Sequence, residues 1–185
     1  KDQVDIQLFK YPEKLEAAVK KQQPDIIGFS FYTWNEELVH HFAGQVKKLY
    51  PDTLIVFGGP NLEVSQTSFE NFFYKYSFVD YYILYEGEEV FNELVSQFLS
   101  VKKKIDKLKR IDIKGTVKQI DGKVEYSFLD PKSKDKKIPY PSPYLTGVLD
   151  EFLSDPYLYP LFETNRGCPF KCTFCAWGVS ALDRV

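Results

Sequence analysis

Methionine does not occur in the 185 residues of this chain, histidine occurs only as the adjacent pair His40 and His41, and cysteine occurs three times. A disulfide would leave one of the three cysteines odd, nothing points to an oxidising compartment, and thiols clustered in one short stretch fit a reducing cytoplasm. Neither sign of charge dominates: the net charge is −2, which offers no electrostatic footprint for nucleic acid or an anionic membrane. No apolar run approaches the roughly 20 residues of a membrane span, and the start lacks the charged-then-apolar pattern of a secretory signal. Neither G-x-G-x-x-G nor a P-loop is present, which disfavours a dinucleotide or a nucleoside triphosphate. The chain starts at Lys1 rather than at methionine and stops soon after its last cysteine. It is therefore expected to be a fragment of a longer protein and inactive on its own.

What the sequence does contain is a regular alternation of strand and helix. Residues 4–9 alternate as Val-Asp-Ile-Gln-Leu-Phe and predict a strand. Tyr11 and Pro12 open a helix to about Gln22, with Leu15, Ala18 and Val19 inward and Pro24 closing it. Residues 25–30 are a short buried strand. Residues 35–49 are a helix whose apolar face is Leu38, Phe42, Val46 and Leu49, which leaves His40 solvated and His41 beside the face. Thr33 with Glu36, and Thr67 with Glu70, have capping-box spacing. Residues 54–59 are a second buried strand, Phe69, Phe72, Phe73 and Tyr76 mark the next helix, and residues 81–85 a further strand. The following helix buries Val90, Phe91, Leu94, Val95 and Phe98 and is finished by a lysine-rich run to Arg110. Short continuous apolar strands between amphipathic helices predict an α/β fold with a doubly wound, mostly parallel, flavodoxin- or Rossmann-like sheet. Residues 116–120 and 123–128 alternate around Asp121-Gly122, a type I′ hairpin signal. A proline-rich linker, a short helix within residues 145–153 and a strand over residues 157–164 follow.

In such sheets ligands bind beyond the carboxyl ends of the strands, where the strand order switches. The last three strands end in Ser30, in Gly58-Gly59-Pro60 and in Glu86-Gly87. Ordinary tight turns would ask for the same residues.

The cysteines occur as Cys168-Pro-Phe-Lys-Cys172-Thr-Phe-Cys175, a C-x3-C-x2-C spacing. Thiolates suit zinc, copper(I) or iron–sulfur clusters. A structural zinc site closes its tetrahedron with four ligands, and a complete iron–sulfur cubane takes four as well. Three thiolates in eight residues suit a four-iron cluster with one iron left open. A zinc-filled loop is the competing reading, and it needs a fourth ligand that neither His40 nor His41 is placed to give.

With Phe174 before the last cysteine, this motif resembles the radical S-adenosylmethionine (radical SAM) signature, and residues 166–178 resemble the longer form found in the corrinoid-associated branch of that superfamily. The resemblance implies a 4Fe–4S cluster on Cys168, Cys172 and Cys175, with S-adenosylmethionine on the open iron and a 5′-deoxyadenosyl radical as the product of its cleavage. Phe174, Trp177 and Gly178 would then shape the adenine side of the S-adenosylmethionine pocket, Arg166 and Lys171 would balance the cluster's charge, and Glu163 and Asn165 would brace its loop. Residues 27–35 (Ile-Gly-Phe-Ser-Phe-Tyr-Thr-Trp-Asn), 57–61 (Phe-Gly-Gly-Pro-Asn) and 85–89 (Tyr-Glu-Gly-Glu-Glu) look like the cobalamin-binding domain of B12-dependent radical SAM proteins. That makes Ser30, Thr33, Gly58, Gly59, Glu86 and Gly87 expected cobalamin contacts.

The implied organisation is a cobalamin-binding-like domain over residues 1–110 lacking its first strand and helix, a hairpin and linker over 111–156, and the start of a radical SAM barrel over 157–185. The implied activity is methyl transfer or related C–H modification on a small-molecule, lipid or tetrapyrrole substrate, with electrons from a flavodoxin or ferredoxin. Two other readings stand beside it: a methylthiotransferase-like radical SAM enzyme, and a non-catalytic module that holds a corrinoid or a partner above a structural metal loop.

Overall fold

A computed structural model of the chain describes residues 4–84, 86–129, 141–161 and 172–174. They fall into two compact units, Lys1–Asp130 and Pro131–Val185. The first carries a five-stranded sheet in the order β1-β2-β3-β4-β5, built from β1 (Ile26–Ser30), β2 (Leu54–Gly58), β3 (Tyr81–Ile83), β4 (Thr116–Ile120) and β5 (Lys123–Ser127). β1, β2 and β3 pair in parallel, and β4 and β5 add on antiparallel. The expected alternation with helices is present: α1 (Pro12–Lys21), α2 (Glu36–Leu49), α3 (Gln66–Lys75), α4 (Gly87–Ser100) and α5 (Ile105–Lys109).

Period-two burial on the strands builds a core on each face. Ile55, Phe57 and Tyr82 face α2 and α3, where Val39, Ala43, Val46, Phe69, Phe72, Phe73 and Tyr76 meet them. Leu54, Val56, Tyr81 and Ile83 face α4 and α5, through Val90, Leu94, Phe98 and Leu108. β2 is buried along four successive residues, as a central parallel strand with helices on both faces must be. The amino end of β3 ties the two layers together. The Asp80 carboxylate, buried just before that strand, accepts from Lys47 of α2 at 2.8 Å and from the Ile55 amide at 2.9 Å, and it pairs with Lys109 of α5 at 3.1 Å.

Several expectations are corrected. Residues 4–9 form no strand; they run with Val4, Ile6 and Leu8 exposed, and among the described residues β1 pairs with β2 alone. The strand order shows no reversal, so the described sheet has no switch point. The buried stripe of α2 is Val39, Ala43 and Val46, and Leu38 and Leu49 are exposed. That rotation reverses the two histidines: His40 stacks on Phe78 and meets the edge of Tyr76, while His41 is exposed. Phe91 is more exposed than the other apolar residues of its helix. Neither capping box forms, because Ser65 caps α3 by accepting from the Ser68 amide, and Asn35 at the N-cap of α2 spends its amide elsewhere. The lysine run does not extend α4; it breaks at Lys102 and Lys103, both at positive φ, before α5.

The hairpin turn is as expected, with Asp121 at φ 50° and Gly122 at φ 75°, the conformation a type I′ turn requires. The hairpin belongs to the same sheet, through β4 against β3. In the second unit the short helix shrinks to α6 (Asp150–Leu153). Residues 157–161 form no strand, and the rest of that expected strand lies outside the described residues. No helix of the described residues is long and apolar enough to cross a membrane.

Candidate functional site

The parallel strands β1, β2 and β3 end in one row: Ser30 lies opposite Gly58, and Gly58 opposite Ile83. Above that row the loop 31–35 leads from β1 into α2, and the loop 59–65 leads from β2 into α3. The base of the first loop is fixed by burial. Phe31 is buried against Phe57, Phe72, Tyr76 and Tyr82 at ring-centroid distances of 5.3 to 6.3 Å, and its amide donates to Gly58 O at 2.6 Å. The second loop is fixed from below, where the Tyr82 hydroxyl donates to Gly59 O at 2.6 Å. Burial drives that phenol's pKa well above its ordinary value, so it stays a donor at any working pH.

The two loops are also tied to each other. Asn35 closes its own loop, accepting from the Tyr32 amide and donating to Ser30 O, each at 2.8 Å. The Thr33 hydroxyl donates to Asn61 Oδ1 at 2.8 Å, and Asn61 Nδ2 donates to Glu36 Oε2 at 3.2 Å. Glu36 Oε1 receives Lys75 Nζ at 2.6 Å and the Tyr76 hydroxyl. These donors, Lys75 first, hold the Glu36 carboxyl well below its ordinary range, at about 2, and Glu36 in turn raises the Lys75 pKa. The result is one cross-braced lip. On it the rings of Tyr32 and Trp34 stack at 4.4 Å and 15°, with Trp34 80% exposed.

Of the six residues expected at a corrinoid, Ser30, Gly58 and Gly59 lie together at the strand ends and Thr33 lies on the lip above them. Glu86 is the N-cap of α4 and Gly87 its first residue, after the neighbouring strand; a methyl group on Gly87 would sit 3.6 Å from Ile83 Cγ2. Of the residues expected at a cluster and S-adenosylmethionine, Cys172 and Phe174 are both exposed. Cys168, Cys175, Trp177, Gly178, Glu163, Asn165, Arg166 and Lys171 lie outside the described residues.

Sequence reasoning missed the brace and assigned no role to the aromatic pair. Two aromatics one residue apart just after a buried strand signal such a pair, whereas Glu36 and Lys75 are 39 positions apart and give no local sign. An open hollow of about 610 Å³ lies elsewhere, between α3 and the hairpin, and is lined by Gln66, Glu70, Tyr74, Gln119 and Lys123 among others.

Residues 2–95 match the family described as B12 binding domain. The chain is 33% identical over 96% of its length to the cobalamin-dependent radical SAM methyltransferase TokK of Streptomyces tokunonensis, covering 26% of that protein. It is 31% identical over 92% of its length to a 2-(S-pantetheinyl)-carbapenam-3-carboxylate methyltransferase of Streptantibioticus cattleyicolor, covering 24% of it. It is 30% identical over 90% of its length to an uncharacterized methyltransferase of Pyrococcus horikoshii, covering 36% of it. The chain thus spans about a quarter to a third of the length of these curated relatives.

Proposed function

The chain belongs to the B12 binding domain family, and from that premise we propose that the lip at the carboxyl ends of β1–β3 seats cobalamin as part of a cobalamin-dependent radical SAM methyltransferase. The observation that carries the proposal is the cross-braced pair of loops over the small residues Ser30, Gly58 and Gly59. Gly58 and Gly59 keep the strand ends low, since a methyl group on Gly59 would lie 2.5 Å from the Phe31 carbonyl oxygen and one on Gly58 3.7 Å from Ile83, and so they let the two loops close over the row. Ser30 and Thr33 bring hydroxyls, and the Tyr32–Trp34 pair brings a flat apolar face. These groups fit a broad macrocycle whose rim is amide-rich. Glu86 and Gly87 close the same edge from the β3 side.

The cysteine motif supports the second half of the reading by its donor set: three soft thiolates and a vacant fourth position suit a 4Fe–4S cluster that also takes S-adenosylmethionine. When bound, the cluster with S-adenosylmethionine would supply a radical for substrate hydrogen removal and the corrinoid a methyl carrier, the protein's part being to bind and position them. Cys168, Cys172 and Cys175 would hold the iron, and Phe174, Trp177 and Gly178 would flank the adenine. A flavodoxin or ferredoxin is the fitting class of electron donor.

The test is anaerobic reconstitution with iron, sulfide and hydroxocobalamin, followed by metal analysis. We expect about four irons and about one cobalt per chain, and Cys→Ala at any of the three cysteines should remove the iron and spare the cobalt. Iron without cobalt would reject the corrinoid half and leave a radical SAM protein of another kind. Zinc or no metal in place of iron would reject the radical SAM half.

A further inference from the structure

The hydrogen bonds of the lip run in one direction. Lys75 and Tyr76 both donate to Glu36 and keep it an ionised carboxylate, which has lone pairs and no proton to give. Whatever Asn61 turns toward Glu36 must therefore be a donor, and only its NH₂ qualifies. The Asn61 carbonyl is then left facing Thr33, 2.8 Å from its hydroxyl. A carbonyl is an acceptor only, so the single Thr33 proton is committed to it. Thr33 is exposed, and what it offers outward is a pair of oxygen lone pairs.

We propose that Glu36 is a positioning residue for the cleft: acting through Asn61 it fixes Thr33 as a hydrogen-bond acceptor, so the ligand group seated at Thr33 is a donor, of the carboxamide NH₂ class. This rests on the corrinoid reading, since the corrin rim carries acetamide and propionamide side chains. It adds which end of such an amide Thr33 takes and which carboxylate decides it. Glu36→Gln is nearly isosteric but can donate. Asn61 would then be free to turn over and present its NH₂ to Thr33, whose proton would point at the ligand and meet another donor.

The experiment is a spectroscopic titration of the full chain with hydroxocobalamin, for wild type, Glu36→Gln, Thr33→Val, Thr33→Ser and the Glu36→Gln/Thr33→Val double variant. Loss of one hydrogen bond weakens binding by about tenfold, and each of Glu36→Gln and Thr33→Val is expected to do so. Thr33→Ser, which keeps the hydroxyl, is expected to bind like wild type. The double variant is expected to bind no more weakly than Thr33→Val, because Glu36 acts through the hydroxyl already removed. Losses that multiply, or a Glu36→Gln protein that binds like wild type, overturn the proposal. If Glu36→Gln fails to fold, Asn61→Ala takes its place with the same expected non-additivity.

If wild type takes up no corrinoid, the proposed function fails by itself, and the ligand-free chain still decides the polarity. The Asn61 side-chain NH₂ resonances are expected to shift in Glu36→Gln and to change little in Thr33→Val. Unchanged resonances in Glu36→Gln overturn the brace.

Discussion

Gly59 leaves β2 at φ 130°, and a methyl group built on it would lie 2.5 Å from the Phe31 carbonyl oxygen and 3.1 Å from the Phe31 nitrogen. Both obstacles are backbone, and Phe31 is pinned by its rings, so neither side can yield. Gly59→Ala should therefore cost about 2–4 kcal/mol, read as a lowered urea midpoint with an unchanged slope. Glu36 gives a prediction in pH. Its folded-state pKa is about 2 against an ordinary 4.5. Below about 4.5 the unfolded chain takes up a proton that the folded chain refuses, so stability from this group is full above that value and lost as pH falls toward 2. The stability gap between wild type and Glu36→Gln should be flat from about pH 8 to 5 and narrow steadily below about pH 4. A gap that stays constant to the acid limit would mean that the charge contributes nothing. At this scale the sequence was half legible. Ser30, Gly58 and Gly59 stand out by residue type at strand ends, but the Glu36 brace is made by side chains from separate elements that only the fold brings together.

Helix α4 ends in a Schellman motif: Lys103 N donates to Phe98 O at 2.9 Å and Lys102 N to Leu99 O at 3.0 Å. The left-handed position of that motif is Lys102, at φ 55°, where glycine is the usual occupant. Lys102→Gly should raise stability by about 1 kcal/mol, provided the motif is kept, and thermal unfolding measures it. An unchanged or lowered midpoint would show that the turn relaxes at no cost. The same turn explains one failed expectation, since a run of lysines has good helix propensity and nothing in its composition announces a break. The α2 face failed for a different reason. Leu38, Phe42, Val46 and Leu49 and the observed Val39, Ala43 and Val46 are stripes about one residue apart on the same helix, and small residues at a close helix–sheet contact outrank larger ones that have room to stay outside. By contrast α3 was plain from sequence because Phe69, Phe72, Phe73 and Tyr76 have no competing face. The strand expected at residues 4–9 has the right alternation, yet pairing needs a neighbour, and alternation alone does not provide one.

Across the first unit the layers were legible from the alternation of buried strands with amphipathic helices, while the strand order and the attachment of the hairpin to β3 were not, because pairing is non-local. The two layers share one charged contact at Asp80, reached by Lys47 from one face and Lys109 from the other. Removing one partner of a buried ion pair strands the rest. Asp80→Ala is therefore expected to lower stability by about 3 kcal/mol in a single cooperative transition, and a loss below about 1 kcal/mol would rank the cluster with surface pairs. Asp80 lies at the amino end of β3, opposite the end that carries the lip. Its carboxylate also holds the Ile55 amide, so a fluctuation that frees one layer there must break a charge cluster and a strand pairing together. The loops over the other end are held separately, by the Thr33–Asn61–Glu36 chain with its Lys75 ion pair above the buried Phe31. The first unit is thus clamped independently at its two rims, so a substitution that loosens the lip is expected to leave the joint between its two layers intact.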